Sequence, residues 1–382
     1  MHRINSLLVG LCLLMTTSVV SAQKPPSPPK PPKPPTEPTL KLGDVAPELK
    51  VDKWLTGKEV KAFEKDTVYV LSFQRINAPE FPQVAAVLSD LHDKMSSKGI
   101  KVVGVQSSLR KATGKELERE LQYLADALKT YSISYSMAWE CEQPLYNTYV
   151  AGMASNDKNA MAFVIDKAGK IAYFGTERKA AYVAEKVLDG KWKGQAEADA
   201  MTKATEDLQK YMTQLGKKIG QPDKLDDKAM KLLQDELPVM EKMFKDAPYL
   251  AFDPQAWQMR LALHLVAKSY DLADVIVSEK IATAVKHKDK GTLGQLAGFF
   301  NSGPLKPDPK LAKIVAKITD AYAPFAEPAS WPFLIYCSKK YGNNEKADAY
   351  MKKALESIPE KDRKMFEEGM KQRLKEMEKN DK

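Results

Sequence analysis

The chain's raw material for chemistry is three cysteines, four histidines and a charged fraction of 29%. Two thiols separated by two residues would make a redox couple, and two such pairs a zinc site. Cys12, Cys141 and Cys337 are far apart in sequence, and Cys12 lies in an apolar leader. There is therefore no CxxC, no disulfide framework and no zinc spacing. Cys141, placed after a predicted strand and before Glu142, is the candidate for a lone reactive thiol, and its plainer reading is a partly buried spectator. Cys337 falls in a predicted helix and reads as core. His92, His264 and His287 fall on predicted helices without a second ligand at metal spacing. Glu116 and Glu120 stand i, i+4 on what reads as an exposed helix face, where solvation suffices. Met201, Met212, Met230, Met240 and Met243 recur at helical spacing and read as core filling. There is no phosphate loop and no Ser/His/Asp constellation, so these residues imply no cofactor and no metal.

Charge and termini narrow the function classes. The net charge is +9. Lysine and glutamate are interspersed, and no basic stripe is interleaved with exposed aromatics, so nucleic acid is excluded as a partner. Weak electrostatic attraction to an anionic envelope surface stays open. His2 and Arg3, the apolar run Leu7–Met15 and the small residues Val20-Ser21-Ala22 have the layout of a signal peptide over 1–22. Export to the periplasm or beyond is expected, with the mature chain starting at Gln23. Leu11 before Cys12 argues against a lipid anchor, and no later segment is long and apolar enough for a transmembrane anchor. Residues 23–41 form a Pro-rich linker containing KPPSPPKPPKPPTEP (Lys24–Pro38). Proline at this density favours polyproline II, a spacer of roughly 45 Å over this stretch. The alternative is a ligand for a proline-binding or anionic partner.

The elements that would position any site come next. Thr67–Phe73 and Ile100–Val105 are short β-rich apolar runs, the pattern of buried strands. Pro82–Met95 and Gly114–Thr130 have helical periodicity, the second through Leu117, Leu121, Leu124 and Leu128. Ser132–Ala138 reads as a strand. Met161–Ile165 and Lys170–Phe174 flank the turn Asp166–Gly169 as a hairpin, and Thr176–Leu188 as a closing helix. After Gly194 strand signals stop. Helices are expected at Gln195–Lys217, Asp226–Lys245, Pro254–Tyr270, Asp274–His287, Thr292–Phe300, Pro309–Tyr322, Trp331–Tyr341, Asn344–Ser357 and Lys361–Glu378. Trp331, Leu334, Gly342, Ala347, Ala354 and Pro359 have the relative spacing of a tetratricopeptide (TPR) repeat hairpin, with Ser338 and Met351 replacing its usual aromatics. The reading is an α/β domain over 42–194 followed by an all-α, TPR-like helical-hairpin domain over 195–382.

GDVAPELKVDKWLTG (Gly43–Gly57), TVYVLSF, KGIKVVGVQ (Lys98–Gln106) and AFVIDKAGKIAYFG (Ala162–Gly175) resemble the exported thiol-disulfide oxidoreductases of the thioredoxin-like redoxin superfamily. DGKWKG (Asp189–Gly194), LGQLAGFF (Leu293–Phe300) and the helical tail are similar to a bacterial branch that fuses such a domain to degenerate repeats. The resemblance implies a central mixed sheet flanked by helices. In that family the first buried strand leads into a CxxC pair at a helix N-terminus, where a thiolate attacks a substrate disulfide and the second thiol resolves it. Here the corresponding segment is Gln74-Arg75-Ile76-Asn77-Ala78-Pro79-Glu80-Phe81, with Ala78 at the nucleophile and Phe81 at the resolving position. The family's cis-proline position falls on Ala160. A cis bond before a non-proline residue costs about 3–4 kcal/mol, so a trans bond is expected.

Asn77, Ala78, Pro79, Glu80, Phe81 and Ala160 are thus the remains of a redox site, and they argue against catalysis. The expected function is a redox-inactive envelope scaffold for a protein or peptide, its helical hairpins supplying a concave face. The alternative is a thiol-disulfide or peroxiredoxin-class enzyme that uses Cys141 or a partner's thiols.

Overall fold

The structure, a computed structural model, describes residues 40–109, 111, 113–153, 161–219, 227–301, 305 and 307–380. The expected signal peptide, most of the Pro-rich linker and Ala160 lie outside the described residues. The chain packs as two compact units. Among the described residues, Leu40–Gln209 together with Ala247–Asp253 form the first, and Lys210–Asp246 together with those from Pro254 onward form the second.

The first unit is built on a six-stranded sheet of order β1-β4-β3-β2-β5-β6. Its strands are β1 (Lys53–Thr56), β2 (Val68–Gln74), β3 (Ile100–Ser108), β4 (Ser136–Cys141), β5 (Ala162–Ile165) and β6 (Ile171–Gly175). Between them run α1 (Phe81–Met95), α2 (Gly114–Thr130) and α3 (Pro144–Tyr149), with α4 (Glu177–Leu188) after β6. β2, β3 and β4 are parallel, while β5 pairs antiparallel with β2, β6 with β5 and β1 with β4. This is the thioredoxin-like fold, a mixed sheet with flanking helices. Every residue of β2 is buried, which explains why it reads as a continuous apolar run and not as an alternation. Tyr69, Leu71 and Phe73 face the cluster completed by Leu145 and Tyr149 of α3, and α1 and α4 pack on each other and on the sheet.

Several boundaries differ from the sequence reading. β4 begins at Ser136, four residues later than expected, because Ser132 takes a left-handed φ of 50° and turns the chain after α2. It runs on to Cys141 because its pairing with β3 continues to Ser108. Cys141 therefore ends the strand and does not follow it. β1 and α3 have no counterpart in the sequence reading. The hairpin turn is as expected: Asp166 Oδ1 accepts the N–H groups of Ala168 and Lys170, each at 2.9 Å, and Gly169 takes φ 74°.

α5 (Gln195–Ile219) runs from the first unit into the second, which continues with α6 (Asp227–Asp246), α7 (Pro254–Val266), α8 (Tyr270–Lys286), α9 (Lys290–Asn301) and α10 (Pro309–Tyr322). α11 (Trp331–Lys340), α12 (Asn344–Ser357) and α13 (Glu360–Asn380) complete it. α7 ends at Val266 and α8 begins at Tyr270, so the expected helix Pro254–Tyr270 is cut by a turn at Lys268, φ 57°. The same closure recurs at three junctions. Lys268, Lys288 and Gly342 are left-handed, and the next residue's N–H returns to the carbonyl five positions back: Ser269 to His264, Asp289 to Ala284 and Asn343 to Ser338. This bonding satisfies otherwise orphaned helix carbonyls and reverses the chain sharply, which is how short breaks produce helix hairpins here. Trp331, Leu334, Ala347 and Ala354 share one buried cluster with Tyr350 and Met370. Of the five methionines read as core filling, Met201, Met212 and Met240 are buried, while Met230 and Met243 are only half-buried. Among the described residues no helix is long and apolar enough to cross a membrane.

Candidate functional site

The segment Gln74–Phe81, where the sequence resemblance places a redox loop, is built from the end of β2 outward. Gln74 pairs in register with Gln106 of β3. Gln106 then reaches across, its Oε1 accepting the N–H of buried Ile76 at 2.8 Å. Two tight turns follow: Ala78 N–H donates to Arg75 O at 2.9 Å and Phe81 N–H to Ala78 O at 3.0 Å. Arg75 and Glu80 close the loop with an ion pair at 2.9 Å. Both side chains are exposed, so the pair contributes little stability. Asn77, Pro79 and Glu80 are exposed and Ala78 is half-buried. Helix α1 begins at Phe81 with Pro82 in its first turn, the place where a missing N–H costs nothing.

The two positions of interest differ in environment. Ala78 presents a methyl group. Phe81 is 2% exposed and meets the Tyr131 ring edge-on at 5.4 Å. At these two positions a methyl and a phenyl ring offer neither a thiolate nor an electron acceptor. Glu80 is the N-cap, so Ala78 lies two residues before the cap, with a carboxylate nearer the helix end. Any thiol placed at 78 would feel the helix dipole less than a thiol at the cap itself. No cis peptide bond occurs among the described residues.

Cys141 ends a strand parallel to β2, so it sits at the same edge of the sheet as the 75–80 loop. β3 lies between, which separates the two strands by roughly 9–10 Å. Cys141 is half-buried, is not in a disulfide, and donates its N–H to Asp52 Oδ2 at 2.7 Å. Its neighbour Glu140 is fully buried. The Glu140 carboxylate accepts the Ser107 hydroxyl and the N–H groups of Leu145 and Tyr146, so it caps α3 from inside the sheet. Glu142 and Gln143 are consecutive left-handed residues, φ 60° and 61°, a conformation costing about 1–2 kcal/mol for each side-chain-bearing residue. The buried cap of Glu140 helps to offset that cost. Cys337 is buried in the helical unit, with Sγ against Ala297 O at 3.7 Å, and burial pushes its thiol up to about 12. No cluster of three potential metal ligands occurs among the described residues.

A polar group lies on the α1/α4 side of β2 that the sequence reading missed. Ser72 Oγ donates to Glu177 Oε1 at 3.3 Å, and Gln74 Nε2 contacts the Tyr135 hydroxyl at 3.0 Å. Ser72, Gln74 and Tyr135 are all buried. The signal was present as two polar residues ending an apolar strand and an acid directly after Thr176. Burial holds the Glu177 carboxyl above the usual range, opposed by its own backbone N–H, Ser72 and Arg178 and reinforced by Glu80. A carboxyl raised in the fold binds protons more readily when folded than when unfolded. Its stabilising contribution is therefore complete below the unfolded value of 4.5 and is lost as pH rises through the folded value. Glu177→Gln is expected to remove this slope. Its melting temperature relative to the native chain should climb as pH is raised from about 4.5 toward neutrality. A constant difference across that range would show that Glu177 does not titrate in this way.

Glu120 corrects another expectation. It is half-buried and accepts the Trp139 indole N–H at 3.1 Å, so it is not a merely solvated member of an i, i+4 pair.

No protein-family model matches this chain. Protein FixW of Rhizobium leguminosarum is similar over 158 residues at 27% identity, covering 41% of this chain and 69% of FixW. Among solved structures, a thioredoxin-like protein in its oxidized form matches at 19% identity and TM-score 0.31, over 40% of this chain and 99% of that one. A putative thiol:disulfide interchange protein DsbE from Chlorobium tepidum matches at 15% identity and TM-score 0.29, over 39% and 97%.

Proposed function

We propose that this protein is an exported, redox-inactive thioredoxin-like protein that binds an envelope protein or peptide, with a helical unit made of degenerate TPR-like hairpins. The observation that carries the reading is the filled redox loop: Ala78 supplies no nucleophile, and Phe81 is packed under Tyr131 where a resolving thiol would have to move. Export is supported by the leader over 1–22, and a binding role by the recurring hairpin turns, which stack helices and leave a face for a ligand. The enzymatic alternative would act through Cys141 or a partner's thiols; Cys337, a buried core residue whose thiol burial pushes up, is not offered for exchange. The test is recovery of the protein from an envelope fraction, with its N-terminus read and its insulin-disulfide reductase activity measured. The expected result is a chain starting at Gln23 with no activity above buffer. Activity that disappears in Cys141→Ser would establish the one-cysteine enzyme instead.

A further inference from the structure

His264 lies inside the helical unit on α7 and is 0% exposed. Its Nε2 stands 2.9 Å from Glu241 Oε1 of α6. The same carboxylate is gripped by Arg260, with Nε at 2.6 Å and Nη2 at 2.8 Å, and the guanidinium covers the Phe244 ring at 4.9 Å. Glu241 thus joins the two helices through one bidentate and one single contact. The other imidazole nitrogen, Nδ1, is buried and has no hydrogen-bond partner. That arrangement fits only one protonation state. A neutral ring donates Nε2–H to Glu241 and leaves Nδ1 as a bare lone pair, which an apolar site tolerates. A protonated ring adds an N–H at Nδ1 with no acceptor, and an unsatisfied buried donor on a charged group is expensive.

We propose that His264 is a proton-operated release for the seam between α6 and α7. Uptake of one proton from solvent at Nδ1 creates the unmatched donor, and the ring gains an acceptor only by leaving its site, which separates the helices. Two charged groups act on it: Glu241 from α6 favours the protonated ring and Arg260 from its own helix opposes it. On α8, which packs on the other side, three charged groups are engaged away from the ring. Lys280 lies over the Trp257 ring, while Asp271 and Asp274 pair with Lys310 and Lys317 of α10. From α9, Gln295 meets α7 through Gln258. α6 is built to yield. Pro238 removes the N–H that would bond the Gln234 carbonyl, one turn before Glu241.

The pH window follows from the sign of the shift. Burial, the largest influence, lowers the imidazole below its usual 6.5. The stabilising contribution is therefore complete above 6.5 and is lost as pH falls through the folded value. Glu241 is held low by Arg260 and His264 against the opposing effect of burial, so its own protonation belongs to a separate window below 4.5.

The test is amide hydrogen exchange of the full chain, corrected for intrinsic rates, at pH about 7 and about 5.5, on either side of an ordinary histidine's titration. The native protein should lose protection in α6 and α7 at the lower pH relative to α11 and α12. His264→Gln, which keeps a donor for Glu241 and cannot titrate, should not. Equal loss in the variant, or none in the native protein, would overturn the proposal. If the variant fails to fold, NMR titration of His264 in the native chain decides. A ring titrating below 6.5 together with the α6–α7 amides supports the release, and one titrating at or above 6.5 without them refutes it.

Discussion

Trp331→Ala should cost the helical unit about 3–5 kcal/mol, the range for removing a large buried aromatic. Trp331 is 6% exposed and sits with Leu334, Ala347, Tyr350 and Ala354, its ring 6.2 Å from that of Tyr350. Deleting the indole would leave a cavity bordered by α11 and α12, which pack closely through the small residues Ala347 and Ala354 and have little freedom to collapse. Trp331→Phe separates packing from polarity. The indole Nε1 is buried without a hydrogen-bond partner, so phenylalanine keeps much of the apolar contact and removes an unsatisfied donor. The phenylalanine variant should lose much less than the alanine variant in urea unfolding monitored by circular dichroism. Equal losses would show that the indole's full volume decides the packing. An alanine loss under about 0.5 kcal/mol would be that of a surface residue and would remove the support that Trp331 gives to the TPR-like reading.

The features legible in the sequence were those stabilised by their own pattern. β2 and β3 are buried on both faces and read as apolar runs. α2 carries Leu124 and Leu128 inward at helical spacing and ends within the expected bounds. The illegible features depend on partners distant in sequence. β1 is a four-residue edge strand with an irregular register against β4, too short for periodicity to register. α3 has six residues and starts from a left-handed Gln143, a place where no propensity scale would begin a helix; its cap is the buried carboxylate of Glu140. Glu120 and His264 are read as bland for the same reason, since Trp139 and Glu241 reach them only through tertiary packing. In the redox loop the residue types were readable from the chain alone. The sequence did not reveal that Phe81 is locked against Tyr131 or that Glu80 stands at the N-cap position of α1.

Those two features set the size of the gain expected when thiols are put back. Ala78→Cys with Phe81→Cys should confer measurable but weak insulin-disulfide reduction above that of the native protein. Exchange needs an attacking thiol and a second thiol close enough to resolve the mixed disulfide, and positions 78 and 81 are joined by the Phe81 N–H to Ala78 O bond at 3.0 Å. A disulfide requires Cα atoms within about 7 Å, which a turn closed in this way satisfies. Activity stays low for two reasons. The Glu80 carboxylate, next to the helix end, disfavours a thiolate at 78, and loss of the Phe81 ring opens a cavity beneath Tyr131 that destabilises the loop. Adding Glu80→Gln should therefore raise the rate, as should Ala160→Pro if that position shapes the substrate side of the loop. The pKa of the thiol introduced by Ala78→Cys, followed by thiolate absorbance, should fall when Glu80 is neutralised. If the double and triple variants stay inert while circular dichroism shows the fold intact, the nucleophile position is not residue 78. If Glu80→Gln leaves the thiol pKa unchanged, the carboxylate is not what holds the reaction back, and the cavity under Tyr131 is.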